Sequence, residues 1–382
     1  MAMDTDTLIH FYFLIGLTYN EIVSCLALQH QVLLSERTLK RRLAAMNLYR
    51  RKNKPSLIRV SAFLSKLILK DDMQSGYRWM HQRCLLAGYM LSRETVAGLL
   101  SIPDPEGVEL RKRKRLFRRE YYAKGPNYLW HVDSYDKLKN YGICMNGCID
   151  GYSRKIIWCE VTHSSSDPRI VAGHLILSVE KISACPRKVR GDRGTENKDI
   201  AEMQSILTTN GTFIYGSSTG NQRIEAFWRL LRMECCQFWI EFFGHLRDLG
   251  EFSGDIIYKN LVQLVFMNFV QNDIDEAESV WNTHRIRPTK NGNVPAGKPC
   301  ILYCIPELEG TKNYSLQVDQ HVLQICRNEC LFHKNTPNDS DMHEFIKLLM
   351  EENTLTSPET VEEAYDLYVT LHHMANREIH IF

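Results

Sequence analysis

Three acidic side chains from separate segments of this sequence suggest metal-dependent chemistry on phosphodiesters. Asp133 lies in YLWHVDSY, an alternating apolar and polar segment that predicts a strand. A carboxylate in the middle of a sheet is costly unless it is paired or binds a metal ion. Asp192 follows a short predicted strand in KVRGDRGTEN, where two glycines allow the backbone to approach closely. Two metal ions about 3.5–4 Å apart need acidic ligands from several elements, and both aspartates suit that task.

The third carboxylate, Glu225, lies on a predicted amphipathic helix, NQRIEAFWRLLR. Arg229 and Arg232 follow it at i+4 and i+7, so one edge of the helix carries an acid and two cations that suit phosphate. Each acid has an ordinary alternative: Asp133 as a strand-end residue, Asp192 as a turn former and Glu225 as the ion-pair partner of Arg229. The order strand Asp, loop Asp, helix Glu, with 32 residues between the last two, favours a joint role.

The elements that would position these acids follow the order of a ribonuclease-H-like α/β fold. Three predicted strands form a meander and are followed by helix, strand, helix, strand and helix. The strands are predicted at residues 128–135, 141–150, 155–162, 186–190 and 212–215. The helices that follow are predicted at residues 167–181, between the last two strands, and at residues 221–238. We therefore expect a mixed five-stranded sheet with flanking helices.

Two segments among the first hundred residues predict helix-turn-helix units. In the first, residues 20–28 form a helix and Ser35 caps the next one; in the second, Ser92 caps the final helix. Basic side chains would lie on the outer faces of these capped helices, where a recognition helix contacts DNA. They are Arg37, Lys40, Arg41, Arg42 and Arg93. An ordinary small helical bundle is the alternative interpretation.

The charge of the chain is unevenly distributed, although its net value is only +2. Residues 37–54 include eight basic residues and no acidic one, and residues 111–119 read RKRKRLFRR. Such runs bind phosphate backbones or act as nuclear localisation signals, and the alternative is a solvated linker. From Glu307 onward the chain has fourteen acidic and five basic residues, which argues against contact between the tail and nucleic acid.

Composition limits the other classes of function. A hydrophobic content of 44% in 382 residues supports two to four folded units. We find no pattern of a signal peptide or of a membrane-spanning helix, so we expect a soluble protein. The twelve cysteines are interpreted as reduced core thiols, because the chain is long and shows no secretory signal. The three C-x-x-x-C pairs lack the tighter spacing and the second ligand pair of a zinc site.

Four segments resemble the core motifs of retroviral integrases and DDE transposases, particularly of integrase core proteins encoded in eukaryotic genomes. They are WHVDSYDKL, GCIDGYSRKIIW, VRGDRGTEN and GNQRIEAFW, and the resemblance covers residues 125–288. WNTHRIRP also resembles the stretch that closes transposon-type cores. The resemblance implies that Asp133, Asp192 and Glu225 form a metal-binding DDE triad for two Mg²⁺ or Mn²⁺ ions. In the family these ions activate water or a 3′-hydroxyl for attack on a phosphodiester.

Three departures from the retroviral pattern favour a transposon-derived host gene. The spacer between Asp192 and Glu225 is a few residues shorter than in retroviral integrases, and the loop before the helix reads Gly-Ser-Ser-Thr-Gly where a proline is common. No His-His-Cys-Cys zinc module precedes the core. The helix-turn-helix pair instead resembles the DNA-binding front of transposases.

We therefore predict five regions in an α/β protein. They are a helix-turn-helix-like region at residues 1–54, a second one at 55–100, a basic linker at 101–124, the integrase core at 125–290 and a small α+β module at 291–382. In the last region strands are predicted near residues 314–326, and helices near residues 342–351 and 358–375.

The predicted function is that of a DNA-binding integrase or transposase that cleaves phosphodiesters and transfers strands. Arg229 and Arg232, together with the five basic residues of the helix-turn-helix units, are the predicted nucleic-acid contacts. A catalytically silent DNA-binding regulator and a nuclease for structured RNA are the alternatives. We expect self-association, no membrane contact and a nuclear location.

Overall fold

The computed structural model describes residues 4–50, 55–70, 76–101, 122–208, 212–216, 221–288, 295–332 and 339–379. The chain folds as two compact units. The first consists of Met1–Tyr128, Asp150–Lys155 and Glu278–Tyr314, and the second of Leu129–Ile149, Ile156–Ala277 and Ser315–Phe382. The basic run at residues 111–119 lies outside the described residues, and the five predicted regions stay a prediction.

Short helices form the amino-terminal part of the first unit. They are α1 (Thr5–Leu14), α2 (Tyr19–His30), α3 (Glu36–Ala45), α4 (Leu57–Lys70), α5 (Tyr77–Leu86) and α6 (Arg93–Leu100). The predicted caps are confirmed: the hydroxyl of Ser35 accepts the N–H of Thr38, and the hydroxyl of Ser92 accepts that of Thr95. Each of these helices is too short to be stable alone, so its stability depends on packing against its neighbours. One apolar cluster holds α1 to α3 together, and another holds α4 to α6 together.

The second unit contains the five-stranded sheet. Its strands are β1 (Trp130–Tyr135), β2 (Cys144–Asp150), β3 (Ile156–Thr162), β4 (Lys188–Gly191) and β5 (Thr212–Tyr215). Their order is β3-β2-β1-β4-β5, with β2 antiparallel to β3, and β4 parallel to both β1 and β5. This confirms the five predicted strands. The parallel pairing aligns His131 of β1 with Arg190 of β4, and Asp133 and Asp192 each lie two residues further along these neighbouring segments.

Helices α7 (Pro168–Ile182) and α8 (Lys198–Leu207) pack in one apolar cluster with β1 and β4. Helix α9 (Gln222–Leu231) continues through a π-helical segment, Arg232–Cys236, into α10 (Gln237–Asp248). The sequence predicted an end near Phe238, but the buried stripe continues through Trp239 and Phe243 and keeps the chain helical. Helix α11 (Ile256–Thr283) follows.

No helix among the described residues is long and apolar enough to cross a membrane.

The outer edge of β3 is covered by a side chain. From α11, the amide oxygen of Gln271 accepts the N–H of Val161 at 2.7 Å, and its nitrogen donates to the carbonyl of Cys159 at 3.1 Å. An unpaired strand edge is a template for association with other chains. The amide of Gln271 therefore satisfies two backbone groups of β3 that would otherwise be open for pairing.

The predicted strands at residues 314–326 are wrong. The described residues there form one β-bridge, between Cys185 and Leu316, and then helix α13 (Gln320–Asn328). The side chain of Asp319 caps this helix, and Leu323 and Cys326 are buried at helical spacing. The two helices predicted after it are confirmed as α14 (Ser340–Glu352) and α15 (Val361–Ile379), while α12 (Pro299–Cys304) precedes the tail. The described part of the tail is thus helical rather than α+β.

Candidate functional site

Asp133 and Glu225 lie in one open cleft of the second unit, with a volume of about 480 Å³. The cleft is lined by Asp133, Ser134, Tyr135, Asp136 and Lys137 on one side and by Glu225, Trp228, Arg229 and Arg232 on the other. The structure therefore places Asp133 in the same cleft as Glu225, Arg229 and Arg232, three residues that the sequence predicted on one edge of a helix. Ser134, Tyr135, Asp136, Lys137 and Trp228 were not predicted.

Asn221 ties the start of α9 to β1 and so places Glu225 beside Asp133. Its amide nitrogen donates to the carbonyl of Val132 at 2.8 Å, and its amide oxygen contacts Nδ1 of His131 at 2.7 Å. Because the nitrogen of Asn221 is engaged by Val132, the proton of the second bond comes from His131 Nδ1. The backbone carbonyl of Asn221 also accepts the N–H of Glu225 at 3.2 Å, which starts the helix.

His131 can keep this role because it stays uncharged. Its ring is fully buried, and burial lowers its pKa to about 3. The imidazole is therefore neutral at physiological pH, and the Nδ1–H tautomer is fixed by its bond to Asn221.

The surroundings of Asp133 destabilise the ionised form of its carboxyl group. Burial, followed by the negative charges of Glu225 and Asp192, raises its pKa to about 7, although the hydrogen bond from Trp228 lowers it. The indole nitrogen of Trp228 donates to Oδ2 of Asp133 at 3.0 Å. Two acids that repel one another in a partly desolvated cleft are an arrangement that a divalent cation would stabilise, since carboxylate oxygens are ligands that Mg²⁺ and Mn²⁺ prefer.

Asp192 is close enough for its charge to raise the pKa of Asp133, but it does not line the cleft. One of its oxygens accepts the N–H of Gly194 at 3.0 Å and the side-chain amide of Asn197 at 2.8 Å. Among the described residues, no three His, Cys, Asp or Glu side chains are arranged to hold one metal ion. The carboxylate oxygens of these acids are ligands that suit a divalent cation. Asp133 and Glu225 line the cleft, whereas Asp192 forms its hydrogen bonds within its own loop.

Two further acids lie near the predicted triad. The pKa of Glu196 is raised by burial and by the charges of Asp192 and Asp136, and Asp136 forms an ion pair with Lys139 at 3.2 Å. Asp136 follows Asp133 by three residues, and Glu196 lies within GDRGTEN, so both were visible in the quoted motifs. Its place directly before a helix marks Asn221 as a candidate cap. Its side chain instead forms hydrogen bonds with Val132 and His131 of β1, and no local sequence pattern indicates these long-range bonds.

The basic residues predicted on α3 and α6 lie in the first unit. Arg37, Lys40, Arg41 and Arg93 are exposed. Lys40 pairs with Glu36 at 2.5 Å, and Arg42 pairs with Asp6 at 3.0 Å. Within the described parts of the chain, Arg37, Arg41 and Arg93 make no ion pair, so they are the cations best placed to bind an external phosphate.

The tie between α9 and β1 predicts a large cost for Asn221→Ala. The change leaves Nδ1–H of His131 and the carbonyl of Val132 buried without their partner, so we expect the free energy of unfolding to fall by about 2 kcal/mol or more. Urea denaturation measures this loss. Asn140→Ala, at an exposed asparagine of the same unit, is the control and should change stability by less than about 0.5 kcal/mol. Equal effects of the two variants would contradict the role of Asn221.

The raised pKa of Asp133 predicts that this carboxyl stabilises the protein less as pH rises. In the folded protein this carboxyl keeps its proton up to a pH of about 7, whereas in the unfolded chain it ionises near about pH 4. Between these values this carboxyl binds fewer protons in the unfolded state, so its contribution to the free energy of unfolding decreases with pH. Buried histidines such as His131, whose pKa is lowered, contribute with the opposite sign. Asp133→Asn removes the titrating group, so the free energy of unfolding of the wild type minus that of the variant should decrease as pH rises through this range, as measured by urea unfolding at a series of pH values.

Asp248→Asn, at an exposed aspartate, serves as the control and should keep the wild-type slope. Because a cation binds the ionised carboxylate, MgCl₂ should stabilise the wild type more above the pKa of Asp133 than below it. Identical pH profiles for the wild type and Asp133→Asn would show that burial and like charge do not act on this carboxyl.

The cleft lies in a part of the chain that matches a known protein family. Residues 120–308 match the family described as integrase core domain, a span that contains all five strands of the sheet, Asp133, Asp192 and Glu225. A comparison with curated proteins gives no significant match. Through residues 120–308 the chain belongs to the integrase and DDE transposase superfamily, whose core has a ribonuclease-H-like fold.

Proposed function

We propose that this protein is a metal-dependent enzyme that cleaves DNA phosphodiesters and transfers strands, with Asp133, Asp192 and Glu225 as its DDE triad. The observation that carries this proposal is the cleft, in which Asp133 and Glu225 lie together with Arg229 and Arg232. An integrase core domain supports a function in nucleic-acid processing of the integrase or transposase type. The raised pKa of Asp133 supports a site that is completed by cations.

Integrase core domains generally use divalent metal ions. Asp133 and Glu225 would hold Mg²⁺ or Mn²⁺, and Asp192 would join them once its carboxylate turns away from Asn197. By the resemblance to the family, these carboxylates would hold two ions. When bound, they supply activation of water or a 3′-hydroxyl and stabilise charge on the phosphodiester under attack.

The basic residues of the cleft bind and orient the DNA strand. Arg229 and Arg232 lie one and two turns beyond Glu225 and are exposed, so their guanidinium groups can bind phosphates that flank the scissile bond. Lys137, which follows β1, adds a cation on the other side of the cleft. These cations keep the DNA backbone close to the acids, although the phosphates and the carboxylates repel one another.

The first unit is proposed to select DNA through its helix-turn-helix units. Arg37, Lys40, Arg41 and Arg42 on α3 and Arg93 at the start of α6 would bind the phosphate backbone or base edges. We propose self-association as well, because enzymes of this type act on two DNA ends at once. A nuclear location is the corresponding proposal for a protein that acts on chromosomal DNA.

A catalytically silent DNA-binding regulator is the second candidate. The observation that favours it is the position of Asp192, whose carboxylate is engaged by Gly194 and Asn197 instead of lining the cleft. In such a protein the same core would serve as a scaffold, and the cleft would bind DNA without cutting it.

Removal of one proposed ligand separates these functions. Asp133→Asn changes the volume little, so it should lower Mn²⁺ affinity and reduce the rate of nicking of supercoiled plasmid DNA by about 100-fold or more, while DNA affinity is kept. Calorimetric titration with MnCl₂ and a nicking assay measure the two effects. Asp248→Asn should behave like the wild type in both.

A wild-type protein that binds DNA but neither binds Mn²⁺ nor nicks the plasmid would support the silent regulator. Nicking by Asp133→Asn at the wild-type rate would show that the triad is assigned wrongly.

The basic face of α3 predicts a steep salt dependence of DNA binding. Replacing Arg37 and Arg41 with glutamine removes two phosphate contacts, so the slope of log K against log [salt] should fall in magnitude by about 1.8 on duplex DNA of any sequence. Fluorescence anisotropy at several salt concentrations measures the slope. Lys181→Gln with Arg187→Gln, which neutralises two exposed cations of the second unit, is the matched control. An equal loss of slope in both double variants would exclude α3 as the specific contact.

A further inference from the structure

Trp228 forms a direct hydrogen bond with the carboxylate at the centre of the proposed site. Its Nε1–H donates to Oδ2 of Asp133 at 3.0 Å, across 95 positions of the sequence. Indole has one donor and no acceptor. The bond therefore fixes the carboxylate without adding a ligand that could compete for a cation.

The indole of Trp228 has no room to turn. Only 4% of this residue is exposed, and a Cβ added to Gly147 on β2 would lie 2.6 Å from Cη2 of the ring. The ring of Tyr135 lies 5.4 Å away from it, centroid to centroid, and that of Phe227 lies at 5.5 Å. The position of the donor is thus set by packing against Tyr135 on β1 and Gly147 on β2.

We propose that Trp228 is a positioning residue, which holds the carboxylate of Asp133 in the orientation that receives the divalent cation. This inference rests on the proposed function, because it assigns a role within the same site. A residue that only packs contributes stability and nothing to cation affinity. Partners that orient a metal ligand by hydrogen bonding are worth about 10- to 100-fold in metal affinity.

The same unit contains a matched control. The indole nitrogen of Trp239, on α10, donates to Oδ2 of Asp273 on α11, also at 3.0 Å. Trp239 is fully buried and does not line the cleft. Trp239→Phe therefore removes the same type of hydrogen bond, with a comparable loss of packing, at a distance from the proposed ligands.

The first measurement is spectroscopic and needs no catalytic activity. The protein has six tryptophans, and labelling with ¹⁵N-tryptophan makes their indole N–H groups observable by NMR. The signal of Trp228 is assigned by its loss in Trp228→Phe, and that of Trp239 by its loss in Trp239→Phe. Addition of MgCl₂ to the wild type should shift the Trp228 signal and leave the Trp239 signal in place.

The second measurement is calorimetric titration with MnCl₂. Trp228→Phe should weaken Mn²⁺ binding by about 10-fold or more, whereas Trp239→Phe should stay within about twofold of the wild type even if it loses more stability. Gly147→Ala retains the indole but displaces it, so it should also weaken binding. This variant tests the inference if Trp228→Phe does not fold.

The outcomes separate the inference from the proposed function. Wild-type affinity for Mn²⁺ in both Trp228→Phe and Gly147→Ala would overturn the positioning role and leave the metal site intact. A wild type that binds no Mn²⁺ and shows no indole shift would overturn the proposed function itself. Equal losses of affinity in Trp228→Phe and Trp239→Phe would reduce Trp228 to a packing residue.

Discussion

A half-buried carboxylate beside other carboxylates is the constraint on which the cleft of the second unit depends. Asp133 has lost much of its hydration and is repelled by Glu225 and Asp192, which raises its pKa to about 7. Such a group persists only if the surrounding structure holds it in place. Asn221 fixes the start of α9 against β1, and the indole of Trp228 donates to Asp133. The second unit thus supports an arrangement that is unfavourable by itself and that a cation would relieve.

The two units carry different parts of the proposed activity. The acids, Arg229 and Arg232 belong to the second unit, whose sheet and flanking helices form one apolar cluster on the side of α7 and α8. The first unit is built from short helices around apolar clusters and presents exposed cations on α3 and α6. A rigid sheet suits chemistry that needs fixed ligands, whereas phosphate contacts from exposed arginines tolerate mobile side chains.

Local sequence signals were sufficient where local interactions decide the structure. The alternation of YLWHVDSY predicted β1, and the hydroxyls of Ser35 and Ser92 predicted the starts of α3 and α6, because caps and strand faces involve neighbours in the chain. Prediction failed where a short apolar segment was ambiguous. Residues 314–326 were interpreted as strands, but the cap at Asp319 and the helical spacing of the buried residues produce α13.

The sequence by itself determined which groups are available to the site: three acids in the order strand, loop and helix, and two arginines at i+4 and i+7 from Glu225. The tertiary structure decided which of them meet. It places Asp133 and Glu225 in one cleft, turns Asp192 towards Asn197 and brings the indole of Trp228 to Asp133. These contacts depend on how α9 packs against β1 and β2, and periodicity specifies the buried face of a helix but not the residue of a distant strand that it meets.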